Sequence, residues 1–233
     1  MRYATTDLHG CLHSFRHLVE ERLRLTRADT LYVLGDFVNK GPDSRGVLDY
    51  LMRLQADGYQ LPCVLGNHDL ELLEAARGRR PMAGWASPAD QNLTLGSFGV
   101  AHPQDIPEPY LRWIEALPLS LDLPDFVLVH AGFNFRLPPD EMRQDQHSML
   151  NIKDFVFDAS RLQGKRLLHG HNPKPVAHLR EQVEKRSGAI DLDTGCVYRH
   201  NPELCHLAAL NLDTWELTLQ ANIEPGYPIA RRG

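Results

Sequence analysis

The stretch TLYVLGDFVNKGPDSRGVLDYLMRLQADGYQLPCVLGNHDLELLEAAR, residues 30–77, alternates two hydrophobic periods. Residues 30–34 are an apolar run of strand length, stopped by Gly35. Asp43 or Ser44 can cap a helix on which Val47, Leu48, Leu51 and Leu54 share one face. Residues 60–65 then read as a strand and 70–77 as a short helix. Upstream, residues 2–6 read as a strand and 13–25 as a helix with Phe15, Leu18, Val19 and Leu23 on its apolar side. This alternation predicts right-handed βαβ units and a largely parallel sheet.

Downstream the pattern changes. Residues 78–92 are rich in Gly, Pro, Ala and Ser and read as a loop, so 78–106 is expected to be a loop or cap insertion. A helix is expected over 107–117, with Pro at its start. Strands are expected at 120–123, 125–130, 166–169, 189–192, 207–212 and 215–220, and 221–233 as a short tail. The expected fold is α/β: one domain over 1–233, two packed β-sheets flanked by helices.

Composition narrows the function. The chain has 25 basic and 30 acidic side chains, a net charge of −5, and no basic run. That argues against a nucleic-acid polymer as partner, because such binding rests on phosphate neutralisation. No apolar run approaches the roughly 20 residues that cross a bilayer, so no membrane association is expected. The start, MRYATTDLHGC, lacks the apolar core of a signal peptide. Four scattered cysteines, Cys11, Cys63, Cys196 and Cys205, suggest reduced thiols and a cytoplasmic location. Oligomeric state leaves no signal in the sequence.

Metal-competent residues stand at the ends of the apolar strands: T-T-Asp7-L-His9-G, V-L-G-Asp36, V-L-G-Asn67-His68-Asp69, L-V-His130-A-G and L-H-G-His171. In an α/β sheet the carboxyl ends of the strands share one edge, where ligands bind. The donors are oxygen and nitrogen without thiolate, which suits manganese, iron or zinc. One Asp and one His within three residues, a second Asp, an Asn amide oxygen and two further His make six donors, more than the three protein ligands of one catalytic zinc. They fit two divalent ions roughly 3.5–4 Å apart. Manganese is the first expectation, with iron or zinc as alternatives.

These residues resemble the calcineurin-like metallophosphoesterases, and among them the bacterial serine/threonine protein phosphatase-like group. The ordered motifs are T-D-L-H-G at 6–10, G-D-F-V-N-K-G at 35–41, G-N-H-D at 66–69, H-A-G at 130–132 and G-H-N-P at 170–173. The resemblance implies a four-layer αββα sandwich. It implies that Asp7 and His9 hold one metal, that Asp36 bridges both, and that Asn67, His130 and His171 hold the second. His68 would be the general acid, and a metal-bridging hydroxide the nucleophile, with no covalent phosphoenzyme.

Where the family carries Asp-Arg, this chain has Asn39-Lys40. Asn39 can keep a hydrogen bond to the acid histidine but adds no negative charge, so His68 is expected to titrate lower. Lys40, and Lys153 in N-I-K-D, stand where the family has phosphate-gripping arginines, and with Asn67 they are expected to bind the substrate phosphate. A lysine is a point charge where arginine is a bidentate fork. His169 lies two residues before His171 and is expected beside the site or packed, and Cys196 as a buried inert thiol. The leading expectation is a phosphomonoesterase, serine/threonine protein phosphatase-like, acting on a phosphoprotein or small phosphoester. The alternative is a symmetrical dinucleoside tetraphosphatase, which G-N-H-D-L-x-L-L at 66–73 and D-T-G-C at 193–196 also resemble. A catalytically weak metal-binding regulatory module is the alternative of another class.

Overall fold

The computed structural model describes residues 1–227. It contains two four-stranded sheets. The first has the order β2-β1-β7-β8, from β1 (Arg2–Thr5), β2 (Thr30–Val33), β7 (His206–Asn211) and β8 (Leu217–Ala221). The second has the order β3-β4-β5-β6, from β3 (Ser120–Asp122), β4 (Phe126–Val129), β5 (Arg166–His169) and β6 (Ala189–Asp191). Strand alternation sends side chains to opposite faces and so builds the layers. Ala4, Phe126, Leu128, Leu168, Ile190, Ala208 and Leu210 are buried in one cluster between the sheets. Val127, Val129 and Leu167, one residue out of phase, pack instead with Met142 and Met149.

Those methionines lie on or beside α6 (Pro139–Met142) and α7 (Gln146–Asn151). On the far side Leu31, Val33, Leu207 and Ala209 pack with the buried faces of α1 (Leu12–His17), α2 (Ser44–Ala56) and α3 (Asn67–Ala76). Asp43 caps α2 by accepting a hydrogen bond from Gly46 N at 2.8 Å. Two packed sheets flanked by helices is therefore the fold.

Four local expectations are corrected. The sheets are mixed: β1/β2, β4/β5 and β5/β6 are parallel, whereas β1/β7, β3/β4 and β7/β8 are antiparallel. Short connections after β3 and β7 cannot make the crossover that parallel pairing needs. Residues 60–65 run beside β2 but make only isolated bridges, at Gln60 and Cys63, because Pro62 between them has no N–H to donate. The helix expected over 13–25 loses α geometry after His17 and continues as a π turn over Leu18–Arg22. The insertion at 78–106 is not simply loop. It holds α4 (Pro88–Phe98), which starts at the Ser87 cap with Pro88 in its first turn and stops at Gly99, where φ is 70°.

The remaining helices are α5 (Glu108–Glu115) and α8 (Val176–Glu184). Of the expected tail, Glu224 is buried and accepts from Ser14 N at 2.7 Å. Residues 228–233 lie outside the described residues.

Candidate metal centre and cavity

The parallel strands deliver their carboxyl ends to one place. Asp7 and His9 follow β1, Asp36 follows β2, His130 follows β4 and His171 follows β5, while Asn67 and His68 open α3. The turns that do this are strained. Among eleven described non-glycine residues with positive φ, six are Asp7, His9, Asp36, Asn39, Lys40 and His171, with φ from 43° to 74°. Left-handed backbone costs such residues roughly 1–2 kcal/mol each, and it persists where the surroundings over-determine it. Two glycines make the close approach possible. A Cβ on Gly66 would collide with the Asp36 carboxylate, and one on Gly170 with that of Asp7.

The donor atoms are arranged for a cation. His9 Nδ1–H donates to the Val38 carbonyl at 3.0 Å, and His130 Nδ1–H to the Leu34 carbonyl at 2.8 Å. Each ring therefore presents an Nε2 lone pair inward. His9 Nε2 faces Asp36 Oδ2 at 3.4 Å and Asp7 Oδ1 at 3.8 Å. His130 Nε2 faces Asp36 Oδ1 at 3.5 Å and the Asn67 side-chain oxygen at 3.0 Å. Among the described residues, Asp7 Oδ1 and His171 Nε2 are buried without a hydrogen-bond partner. Converging lone pairs and orphaned buried donors of this kind fit metal ions.

Asp36 is common to two groups that could each hold one ion, His9–Asp36–His68 and Asp36–His130–His171, with ligand atoms in each group within 4.8 Å of one another. The protein alone bears the cost of this crowding. Burial, reinforced by Asp7, pushes the Asp36 carboxyl well above the usual carboxylate range. Burial pulls His171 down to about 3, and burial with the nearby Lys40 ammonium pulls His9 well below the usual histidine value.

His68 sits at the rim, with its backbone N–H donating to Asp36 Oδ1 at 2.9 Å. Asn39 keeps a hydrogen bond to this ring. Thr94 Oγ1 donates to Asn39 Oδ1 at 3.2 Å, and Asn39 Nδ2 donates to His68 Nδ1 at 3.0 Å. This pairing leaves the ring proton on Nε2. Burial and Lys40 hold His68 well below its ordinary pKa. Asp69 clamps the two motif loops together, accepting from the backbone N–H of Gly66 (3.0 Å), Asp36 (2.8 Å) and Phe37 (2.9 Å).

Lys40 Nζ donates to His9 Nε2 at 2.8 Å. Lys40 and Lys153 both line a cavity of about 530 Å³ that also borders Asn67, His68 and His171. The ten site residues named from the sequence thus gather around one cluster and its cavity. His169 is apart from them: it is buried with its ring edge-to-face on Phe155, and burial lowers it to about 4. Cys196 is buried.

Sequence reasoning missed the rest of the cavity wall, in particular Glu71, Arg80, Trp85 and Tyr198. The one available signal was a tryptophan inside an otherwise small and polar segment, P-M-A-G-W-A-S-P at 81–88. Thr94 behind Asn39 had none, since 55 residues separate the two.

The profile of the calcineurin-like phosphoesterase family matches residues 3–215. The symmetrical bis(5′-nucleosyl)-tetraphosphatase of Chromohalobacter salexigens is 39% identical over 140 residues, 59% of this chain and 45% of that protein. The one of Nitrosospira multiformis is 31% identical over 171 residues, 73% of this chain and 56% of that protein. The chain spans about half the length of the curated relatives it matches. Among solved structures, a "putative diadenosine tetraphosphatase" superposes with TM-score 0.67 at 23% identity, covering 96% of this chain and 94% of the other. A protein serine/threonine phosphatase from Saccharomyces cerevisiae superposes with TM-score 0.65 at 13% identity, covering 97% and 81%. At such identities the two structures share the fold. With the family profile running over most of the chain and across every strand-tip motif, this chain belongs to the calcineurin-like phosphoesterases.

Proposed function

We propose that the protein is a dinuclear-metal phosphoesterase that splits dinucleoside tetraphosphates symmetrically. The observation that carries this reading is the set of three cations that line the cavity beside the carboxylates Glu71 and Asp90. Lys40, Lys153 and Arg80 share one cavity with the metal-competent cluster, which suits a chain of phosphates better than a single phosphoryl group. The curated relatives named symmetrical tetraphosphatases support it. The protein phosphatase-like reading, first on sequence, becomes second, because its structural neighbours share 11–13% identity and speak to fold alone.

In this proposal Asp7 and His9 would hold one divalent ion and Asn67, His130 and His171 the other, with Asp36 within reach of either group. Manganese is the first choice, then iron or zinc. Bound, the ions would lower the pKa of a water molecule from about 15.7 toward about 7. Asn39 positions the His68 ring at the cavity, and in its imidazolium form, with the Asn39 amide presenting Oδ1 to Nδ1–H, His68 would protonate the leaving oxygen. Lys40 and Lys153 neutralise phosphate oxygens.

The test is a panel of diadenosine tetraphosphate, a phosphoserine peptide and p-nitrophenyl phosphate, assayed with each metal in turn. The expected result is at least about tenfold higher kcat/KM on the tetraphosphate, with ADP as the only nucleotide product. Turnover confined to the peptide would overturn it. Two bound metals without turnover on any substrate would favour the regulatory module.

A further inference from the structure

We infer that Trp85, presented by the segment before α4, is a seat for the nucleobase of the departing nucleotide, an inference that rests on the reading above and names how its substrate is selected. His68, as the proton donor, marks the side of the cavity from which the leaving group departs. The Trp85 indole stands edge-to-face against the His68 ring, with centroids 5.7 Å apart and planes at 61°. Both rings line the cavity, as does the Tyr198 ring.

The same cavity is lined by a charged pair, Arg80 and Glu71. Arg80 Nη1 donates to Glu71 Oε1 at 3.2 Å, and Glu71 Oε2 lies 3.9 Å from His68 Nδ1. A leaving nucleoside diphosphate would therefore run its phosphates past Arg80 and bring its base onto the indole. Among the described residues Trp85 Nε1 has no hydrogen-bond acceptor. That N–H is left as a donor that a ligand could satisfy, beside the packing surface of the ring.

Aromatic rings interleaved with cations recognise a ligand that is both flat and anionic. A phosphoserine side chain has no flat group to place there. The base is held by stacking, so the seat is expected to discriminate weakly between purines and strongly between nucleotides and base-free phosphoesters.

The test uses the metal-loaded protein. The ratio of kcat/KM on diadenosine tetraphosphate to that on β-glycerophosphate is measured for wild type, Trp85→Ala and Trp85→Phe. The ratio is expected to fall about tenfold or more in Trp85→Ala and to recover to within about threefold in Trp85→Phe. An equal loss on both substrates would mean that Trp85 acts only by propping His68, and would overturn the seat. ADP should also quench indole fluorescence in wild type and not in Trp85→Phe, where Trp113 and Trp215 remain. Quenching that persists in Trp85→Phe, or is absent in wild type, overturns the seat as well. A wild type that is quenched by ADP yet leaves the tetraphosphate intact would refute the tetraphosphatase reading and keep the seat.

Discussion

The two edges of the sheet sandwich handle charge in opposite ways. At the amino-terminal end of β1, Arg2 reaches Asp213 at 2.8 Å and both oxygens of Asp125 at 2.9 and 3.0 Å, and the chain's first ammonium reaches Asp29 at 2.7 Å. Each of those charges has an opposite partner and access to water. At the carboxyl ends, Asp7 and Asp36 are 2% and 1% exposed, and lone pairs of His9, His130 and His171 crowd around them. The first edge serves the fold. The second holds like groups together against their preference, on strained backbone, which is what a site built for cations requires.

Substitution of Asp36 should separate the two purposes most sharply. Asp36 belongs to both metal-competent groups, so Asp36→Asn is expected to cut turnover by about a thousandfold or more, roughly 4 kcal/mol of transition-state stabilisation. In metal-stripped protein the same change replaces a buried carboxyl crowded against Asp7 with a neutral amide. Its melting temperature should then equal or exceed that of stripped wild type. A clearly lower value would show that Asp36 is held for the fold.

Packing around that carboxylate gives the next effect. Gly66→Ala pushes a methyl into Asp36 and is expected to cost about 1–3 kcal/mol of unfolding free energy. Gly96, inside α4 with open space beyond its Cα, should show the opposite sign. Gly96→Ala is expected to stabilise by up to about 1 kcal/mol, since Ala is the better helix former. Denaturant unfolding of both variants checks the contrast.

The site edge was the legible part of the sequence, for a physical reason. Each proposed ligand lies within three residues of an apolar run, so Asp7, Asp36, Asn67, His130 and His171 could be placed near one another from strand ends alone. The strand directions were less legible. Hairpin connections such as the one from β7 to β8 make mixed sheets out of segments whose local pattern does not encode partner or direction. The cavity wall was hidden altogether. Trp85, Arg80 and Tyr198 meet His68 and Lys153 only through tertiary convergence, and α4 was masked by a composition that reads as loop although Ser87 and Pro88 mark its start.

Asn39 allows a finer test of how the site edge manages charge. The proposed role of His68 needs its protonated form, and activity falls as pH rises through its pKa. Asn39→Asp places a carboxylate at the 3.0 Å contact with Nδ1, which favours the protonated ring. The alkaline limb of the kcat profile is expected to move up by about one pH unit, equivalent to about 1.4 kcal/mol. An unmoved limb would mean that another group sets it.

The ion pairs of the opposite edge should yield the smallest effect. Arg2 and Asp125 are 31% and 42% exposed, and exposed pairs are worth about 0–1 kcal/mol. Arg2→Ala is therefore expected to cost less than about 1 kcal/mol at pH 7 and to leave kcat unchanged. The pH dependence has a definite sign. The hydrogen bonds from Arg2 lower the Asp125 carboxyl below its ordinary value, so the unfolded chain takes up the proton first as pH falls. The contribution is then complete above about pH 4, where the unfolded carboxylate is ionised, and fades as pH drops through the folded value. Unfolding curves of wild type and Arg2→Ala should differ at pH 7 and converge near pH 3. A gap that instead widened in acid would mean that Arg2 stabilises β1 through its aliphatic stem and not through charge.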